Sequence, residues 1–194
     1  VEQKLTFPAG SAHLLFEDDF EGAFTQWTVT GSWNLTASQS HSPSTSLTDS
    51  PLGEYQNETS TSATMAQGVA LPAGGTLRFW HRYDIEDGYD YGRVEISVAG
   101  GPWQAVQSFD GLQSSWQQVT IDLSPYAGGQ PVSIRFHLDT DAWVTEDGWY
   151  IDDVMVLGAV QENTPPPTPP LLAPADGAIV DGTVQLTVGN VTDP

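Results

Sequence analysis

Cysteine is absent from this 194-residue chain, and positive charge is scarce: five Lys and Arg stand against 25 Asp and Glu, a formal net charge of −20. Without cysteine there are no disulfide staples and no thiolate metal ligands. Without a basic surface, nucleic acid and anionic membranes are excluded as partners, because a field of this sign repels both. No apolar run reaches the length needed to cross a bilayer, so no membrane insertion is expected. The N-terminus lacks the basic and apolar regions of a signal peptide, and the sequence reads as an excised piece of something longer. Catalytic signatures are missing too. His13, His41, His81 and His137 show no zinc-helix spacing, and there is no Gly-x-Ser-x-Gly elbow, phosphate-binding glycine loop or EF-hand.

What is present argues for a packed β domain. Hydrophobic residues make up 39% of the chain and include seven Trp, too many for a solvated acidic tail. Leu77, Phe79 and His81 alternate with Arg78, Trp80 and Arg82. Val94, Ile96 and Val98 follow the same period, as do Val119, Ile121 and Leu123, and Val132, Ile134, Phe136 and Leu138. Period-two alternation over short runs, broken by Gly, Pro, Asn and Asp, predicts half-buried antiparallel strands. Residues 36–64 read as long connections with one or two short strands. In Trp149–Leu157 both parities are apolar, which predicts a strand covered on both faces in the middle of a sheet.

The organisation expected is an N-terminal linker or edge strand at 1–12 and a β domain at 13–160. A proline-rich spacer follows at 161–170. Residues 171–194 are too few to bury a core of their own. They read as the first strands of a fibronectin type III or immunoglobulin-like module.

Several motifs occur in a telling order: Phe16-Glu-Asp-Asp-Phe-Glu-Gly22, Trp27, Trp33, Asp49-Ser-Pro-Leu-Gly-Glu-Tyr55, Val94-Glu-Ile-Ser97, Trp103, Trp116, Ile121-Asp-Leu-Ser124 and Gly148-Trp-Tyr-Ile-Asp-Asp-Val154. Over residues 14–158 this order resembles the MAM-like jelly rolls that accompany secreted bacterial peptidases of the immune inhibitor A type. Eukaryotic MAM domains carry cysteines, so the resemblance is to the bacterial branch. It implies an all-β antiparallel β-sandwich (a concanavalin-like jelly roll), often with bound Ca²⁺, and no catalytic activity.

Two acidic runs suggest where a hard cation would bind. Charge within apolar strand-like sequence is costly unless it is paired or bound to a cation, and basic partners are few. If the first and last strands are neighbours, Glu17, Asp19 and Glu21 approach Asp152 and Asp153. Asp49, Asn57 and backbone carbonyls of the Asp49–Tyr55 loop then complete a shell of the size Ca²⁺ requires. Parity places Asp152 with Val154 and Val156 and makes it the buried acid. The plain alternative is a solvated edge that discourages aggregation. A second set, Asp84, Asp87 and Asp90 with Asp139 and Asp141, lies on two loops that meet if their strands pair. It forms either a second metal site or a ligand surface with Tyr89, Tyr91 and Trp143, or else ordinary solvated loop charge.

Glu17-x-Asp19-x-Glu21 also matches the catalytic strand of concanavalin-like retaining glucanases, whose two carboxyls must face one cleft. Trp27, Trp33, Trp103, Trp116 and Trp149 are expected in the core, whereas Trp80 and Trp143 are the candidates for exposed stacking. His81 is expected in the core or at an interface, and His137 on a solvent or loop face. The function expected is that of a non-catalytic, Ca²⁺-stabilised accessory module of a secreted or cell-surface protein. Its partners would be a cell-surface glycan or protein and the neighbouring domains of the same polypeptide. The alternatives are the glucanase and a purely structural stalk.

Overall fold

The computed structural model describes residues 12–159, with the backbone of 171–173 and 187–188. The chain divides into two compact units, Val1–Val160 and Gln161–Pro194. The expected linker at 161–170 and residues 1–11 lie outside the described residues, as does most of 171–194.

Among the described residues the first unit has twelve strands: β1 His13–Asp18, β2 Trp27–Thr30, β3 Asn34–Thr36, β4 Ser46–Thr48, β5 Ser60–Met65, β6 Val69–Ala70, β7 Gly75–Ile85, β8 Tyr91–Val98, β9 Gln104–Phe109, β10 Gly111–Asp122, β11 Pro131–Asp139 and β12 Gly148–Gly158. They form two six-stranded antiparallel sheets. One runs β10-β7-β12-β4-β3 with β1 also on β12, and the other runs β2-β5-β11-β8-β9 with β6 on β11. In the second unit, β13 (Leu171–Ala173) pairs antiparallel with β14 (Thr187–Val188). The all-β antiparallel sandwich expected from the alternation is the observed fold.

The core follows the alternation. Leu77 and Phe79 from one sheet meet Val94, Ile96, Val132, Ile134, Phe136 and Leu138 from the other, all within 1% of full burial. Trp149 lies between the sheets, its ring 5.5 Å from Phe136, 5.6 Å from Phe109 and 6.2 Å from Trp33. Truncating a buried Trp typically costs about 3–5 kcal/mol.

β12 is central, as expected from its two apolar faces. One edge pairs with β7. The other is shared by β4, at Tyr150 and Ile151, and by β1, from Val154 to Gly158. Between those two partners the strand carries a bulge, with a register shift between Asp152 and Met155 and Asp153 at φ +49°. The extra residue flips the parity. Trp149 and Ile151 face the core before it, and Val154 and Val156 face the core after it. The expectation that Asp152 shares a face with Val154 is therefore corrected: Asp152 lies with Tyr150 on the outer face. It is fully buried there, with the 41–42 segment hydrogen-bonded to its carboxylate.

Gly148 opens β12 at φ +94°. A Cβ there would stand 2.4 Å from Ser50 Oγ and 2.8 Å from Asp49 Oδ1. Only glycine accepts both the conformation and the close approach.

Candidate functional site

The first acidic set is divided between the turn that follows β1 and the outer face of β12. β1 ends at Asp18 and the chain turns through Phe20 at φ +57°, so Glu17, Asp19 and Glu21 do not line one strand face. This removes the shared face on which the glucanase reading depends. Glu17 and Asp19 are exposed, and Glu21 accepts the Thr45 N–H at 2.8 Å. Asp18, which sequence reasoning passed over, ties the turn together by accepting the Phe20 N–H and the Trp27 indole N–H, both at 2.9 Å.

β1 and β12 are neighbours, as anticipated, but Asp152 is occupied by protein donors. It accepts the N–H groups of His41 (2.7 Å), Ser42 (3.0 Å) and Asp153 (2.8 Å), and the Ser42 hydroxyl at 3.3 Å. Burial nevertheless raises its carboxyl to about 6. Asp153 contacts His41 Nδ1 at 2.6 Å, and the His41 ring stacks on Trp80 with centroids 3.9 Å apart. Asp152 is thus an anchor for the 41–42 segment, which makes a structural hub of the residue expected to be the buried acid of the metal shell.

The second acidic set does converge. The strands that flank the two loops pair as the reading required, β7 with β12 (Asp84 opposite Gly148) and β8 with β11 (Tyr91 opposite Asp139), so the loops meet at one end of the sandwich. Among the described residues, Glu86, Asp90 and Asp141 each bring a carboxylate oxygen within 4.8 Å of the other two. The Glu86 carbonyl accepts the N–H groups of Tyr89 (3.4 Å) and Asp90 (3.2 Å), curling this loop back on itself. Asp90 is fully buried, and its Oδ1 accepts the Asp141 N–H at 2.6 Å. Asp90 Oδ2 and Glu86 Oε2 are buried without a hydrogen-bond partner, and so is Asn57 Oδ1 on the adjoining loop.

Loss of solvent, then repulsion from Asp141, Asp90 and Glu146, raises the Glu86 carboxyl above its ordinary value. Tyr55, whose hydroxyl accepts the Glu86 N–H at 3.1 Å, is also pushed up, chiefly by burial. Glu86 was visible within Asp84–Asp90 but not singled out. The loop curl that aims it at Asp90 has no signature in spacing.

The other members of the set lie outside this centre. Asp84 sits in β7 between Leu112 and Gly148. Asp87 is exposed beside Gly111. Asp139 pairs with Arg93, whose guanidinium also lies 5.0 Å over the Tyr91 ring. Trp143 is 82% exposed and Tyr89 65% exposed on the converging loops, and the Trp143 N–H donates to Asp141 Oδ1 at 2.9 Å. Trp27, Trp33 and Trp149 are in the core as expected, but Trp103 and Trp116 are not. Trp103 lies beneath Arg135 at 4.5 Å, and Trp116 stands 6.0 Å from His41. His81 is buried and accepts the Trp149 indole N–H at 3.3 Å, and burial lowers its pKa to about 4. His137 shares an outer face with Arg135 and Glu95, as its parity requires.

No family model matches the chain. It is 32% identical over 158 residues, 73% of its length, to bacillopeptidase F of Bacillus subtilis, of which it spans 10%. It is 35% identical over 103 residues, 46% of its length, to the pre-pro-metalloprotease PrtV of Vibrio cholerae, of which it spans 11%. The chain thus spans about a tenth of the length of the curated relatives it matches.

Among solved structures it is similar to a cleaved adhesin domain of Lys-gingipain from Porphyromonas gingivalis, at 18% identity and a TM-score of 0.55, covering 76% of this chain and 99% of that one. It is also similar to a family 22 carbohydrate binding module from Clostridium thermocellum, at 17% identity and a TM-score of 0.50, covering 78% of this chain and 96% of that one. At these identities the likeness shows a shared β-sandwich.

Proposed function

We propose that residues 13–160 form a non-catalytic accessory module of a larger extracellular protein. In this reading a hard divalent cation, Ca²⁺, closes one end of the module at Glu86, Asp90 and Asp141. The proline-rich 161–170 serves as a spacer to a further immunoglobulin-like or fibronectin type III-like module.

The observation that carries the metal reading is the convergence of three carboxylates with two buried, unpartnered oxygens and no cationic side chain among them. Three like charges this close are costly unless one is protonated or a cation joins them. Ca²⁺ takes six to eight oxygens from carboxylates, amide carbonyls and water. Glu86, Asp90 and Asp141 fit that chemistry, and Asn57 offers a further amide oxygen on the adjoining loop. Bound there, the ion neutralises the cluster and ties the β7–β8 loop to the β11–β12 loop.

The accessory role is supported by likeness to adhesin and carbohydrate-binding folds. The protease relatives suggest a parent of that kind. The loops held by the cation display Trp143 and Tyr89, flat faces suited to stacking on a sugar or a partner side chain. The MAM-like resemblance agrees with this reading.

The test is calorimetric. Ca²⁺ at a hundred times its dissociation constant stabilises the folded state by about 2.7 kcal/mol, so chelation should lower Tm and Ca²⁺ should restore it. Asp90→Asn should abolish the response and Glu21→Gln should preserve it. A melt that ignores chelator, or a response that survives Asp90→Asn, refutes this placement.

A further inference from the structure

A cavity of mixed polar and apolar wall lies beside Asp49, and Tyr55, whose hydroxyl accepts the Glu86 N–H, stands between it and the acidic loop centre. The cavity's volume is about 210 Å³, and Asp49, Ser32, Tyr55, Thr59, Thr61 and Leu138 contribute to its walls. Asp49 is 1% exposed. Its Oδ1 accepts the Trp149 N–H at 2.7 Å, while Oδ2 is buried and has no partner. No arginine, lysine or histidine lines the cavity.

The hydroxyls around it already have donors or acceptors that leave lone pairs free. Ser32 Oγ donates to the Asp49 carbonyl at 2.6 Å, and Thr61 Oγ1 accepts the Trp33 indole N–H at 3.1 Å. Above about pH 7, where the buried Asp49 carboxyl ionises, the cavity offers one carboxylate charge beside neutral oxygens.

We infer that this cavity binds one small monovalent cation, an alkali ion or the ammonium head of an amine, against Asp49 Oδ2. A single carboxylate matches a single positive charge, whereas divalent sites of protein oxygens gather several. The volume leaves room for an ion with retained water or for a short alkyl stem against Leu138 and Tyr55. Filling it satisfies the orphan oxygen, which otherwise carries the full cost of burial.

The experiment uses the intact chain in EDTA at about pH 8, where Asp49 is ionised, and at fixed ionic strength, replacing choline chloride stepwise with NaCl, KCl, NH₄Cl or butylammonium chloride while following Tm. One of these cations should give a saturable rise of about 5 °C over choline, and Asp49→Asn should abolish it. Preference for Na⁺ or K⁺ identifies an ion site, and preference for butylammonium identifies capture of an amine such as a lysine side chain. Equal Tm in every salt, or the same rise in Asp49→Asn, overturns the inference. If Asp49→Asn does not fold, calorimetric titration of the unmodified chain with each cation decides: saturable heat from one of them supports the site, and none refutes it. Asp90→Asn should retain the monovalent response, which separates this site from the divalent centre.

Discussion

Asp49 and His81 are buried ionisable groups with opposite consequences for stability. Burial raises Asp49 to about 7. Its contribution to stability is therefore complete below its unfolded value near 4 and is lost as pH rises through about 7. His81 is lowered to about 4 by burial, so its contribution is complete above about 6.5 and is lost as pH falls through about 4. In the wild type the two slopes partly cancel. In choline buffer, Asp49→Asn should flatten the pH profile, leaving His81 opposed only by the raised carboxyls such as Asp152, and should raise stability near pH 8. His81→Gln, which keeps an acceptor for Trp149, should leave net destabilisation by base. Denaturant titrations from pH 4 to 8 test both, and parallel pH profiles for the two variants would contradict the assignment. His81 was legible from its parity with Leu77 and Phe79. Asp49 was legible only as a possible ligand, since a sequence does not reveal that one of its oxygens would have no donor.

At the scale of elements, β12 and its bulge organise the outer face of the first sheet. Asp152 reaches the His41 and Ser42 amides through the gap between β1 and β4. Asp152→Ala should cost about 2–4 kcal/mol, because it strands backbone donors near the sheet. Amide exchange at His41 and Ser42 should accelerate well beyond that of β7, and unchanged protection would show that the loop is held by something else. Asp153→Gly should be tolerated, since φ +49° suits glycine, whereas Asp153→Val should be strained.

The alternation made the strands of both sheets legible from Leu77 to Leu138 because each buries one face. It also marked β12 as central. It failed at Asp152, where one inserted residue exchanges the two faces and no residue type announces it. The acidic centre was half legible for a related reason. The two loops were identified, but Glu86 points inward through a turn made by its own backbone, and the set proposed from β1 dissolved where β1 stops at Asp18.

For the whole molecule, the charge imbalance is a stability term as well as a filter on partners. A net charge of −20 on a folded chain repels itself, and salt screens that repulsion. Raising choline chloride from low to physiological ionic strength should increase Tm without any specific site, and Ca²⁺ should add a further, saturable increment that Asp90→Asn removes. A Tm insensitive to choline chloride would mean that the acids are too dispersed to strain the fold.

The pairing of β1 with β12 sets His13 directly opposite Gly158. The polypeptide enters and leaves the sandwich at adjacent points. Force applied between those two points peels the strands apart one rung at a time instead of shearing a whole ladder. Under tension the module should yield early and gradually, while the β7–β8 and β11–β12 loops at its other end remain folded longest.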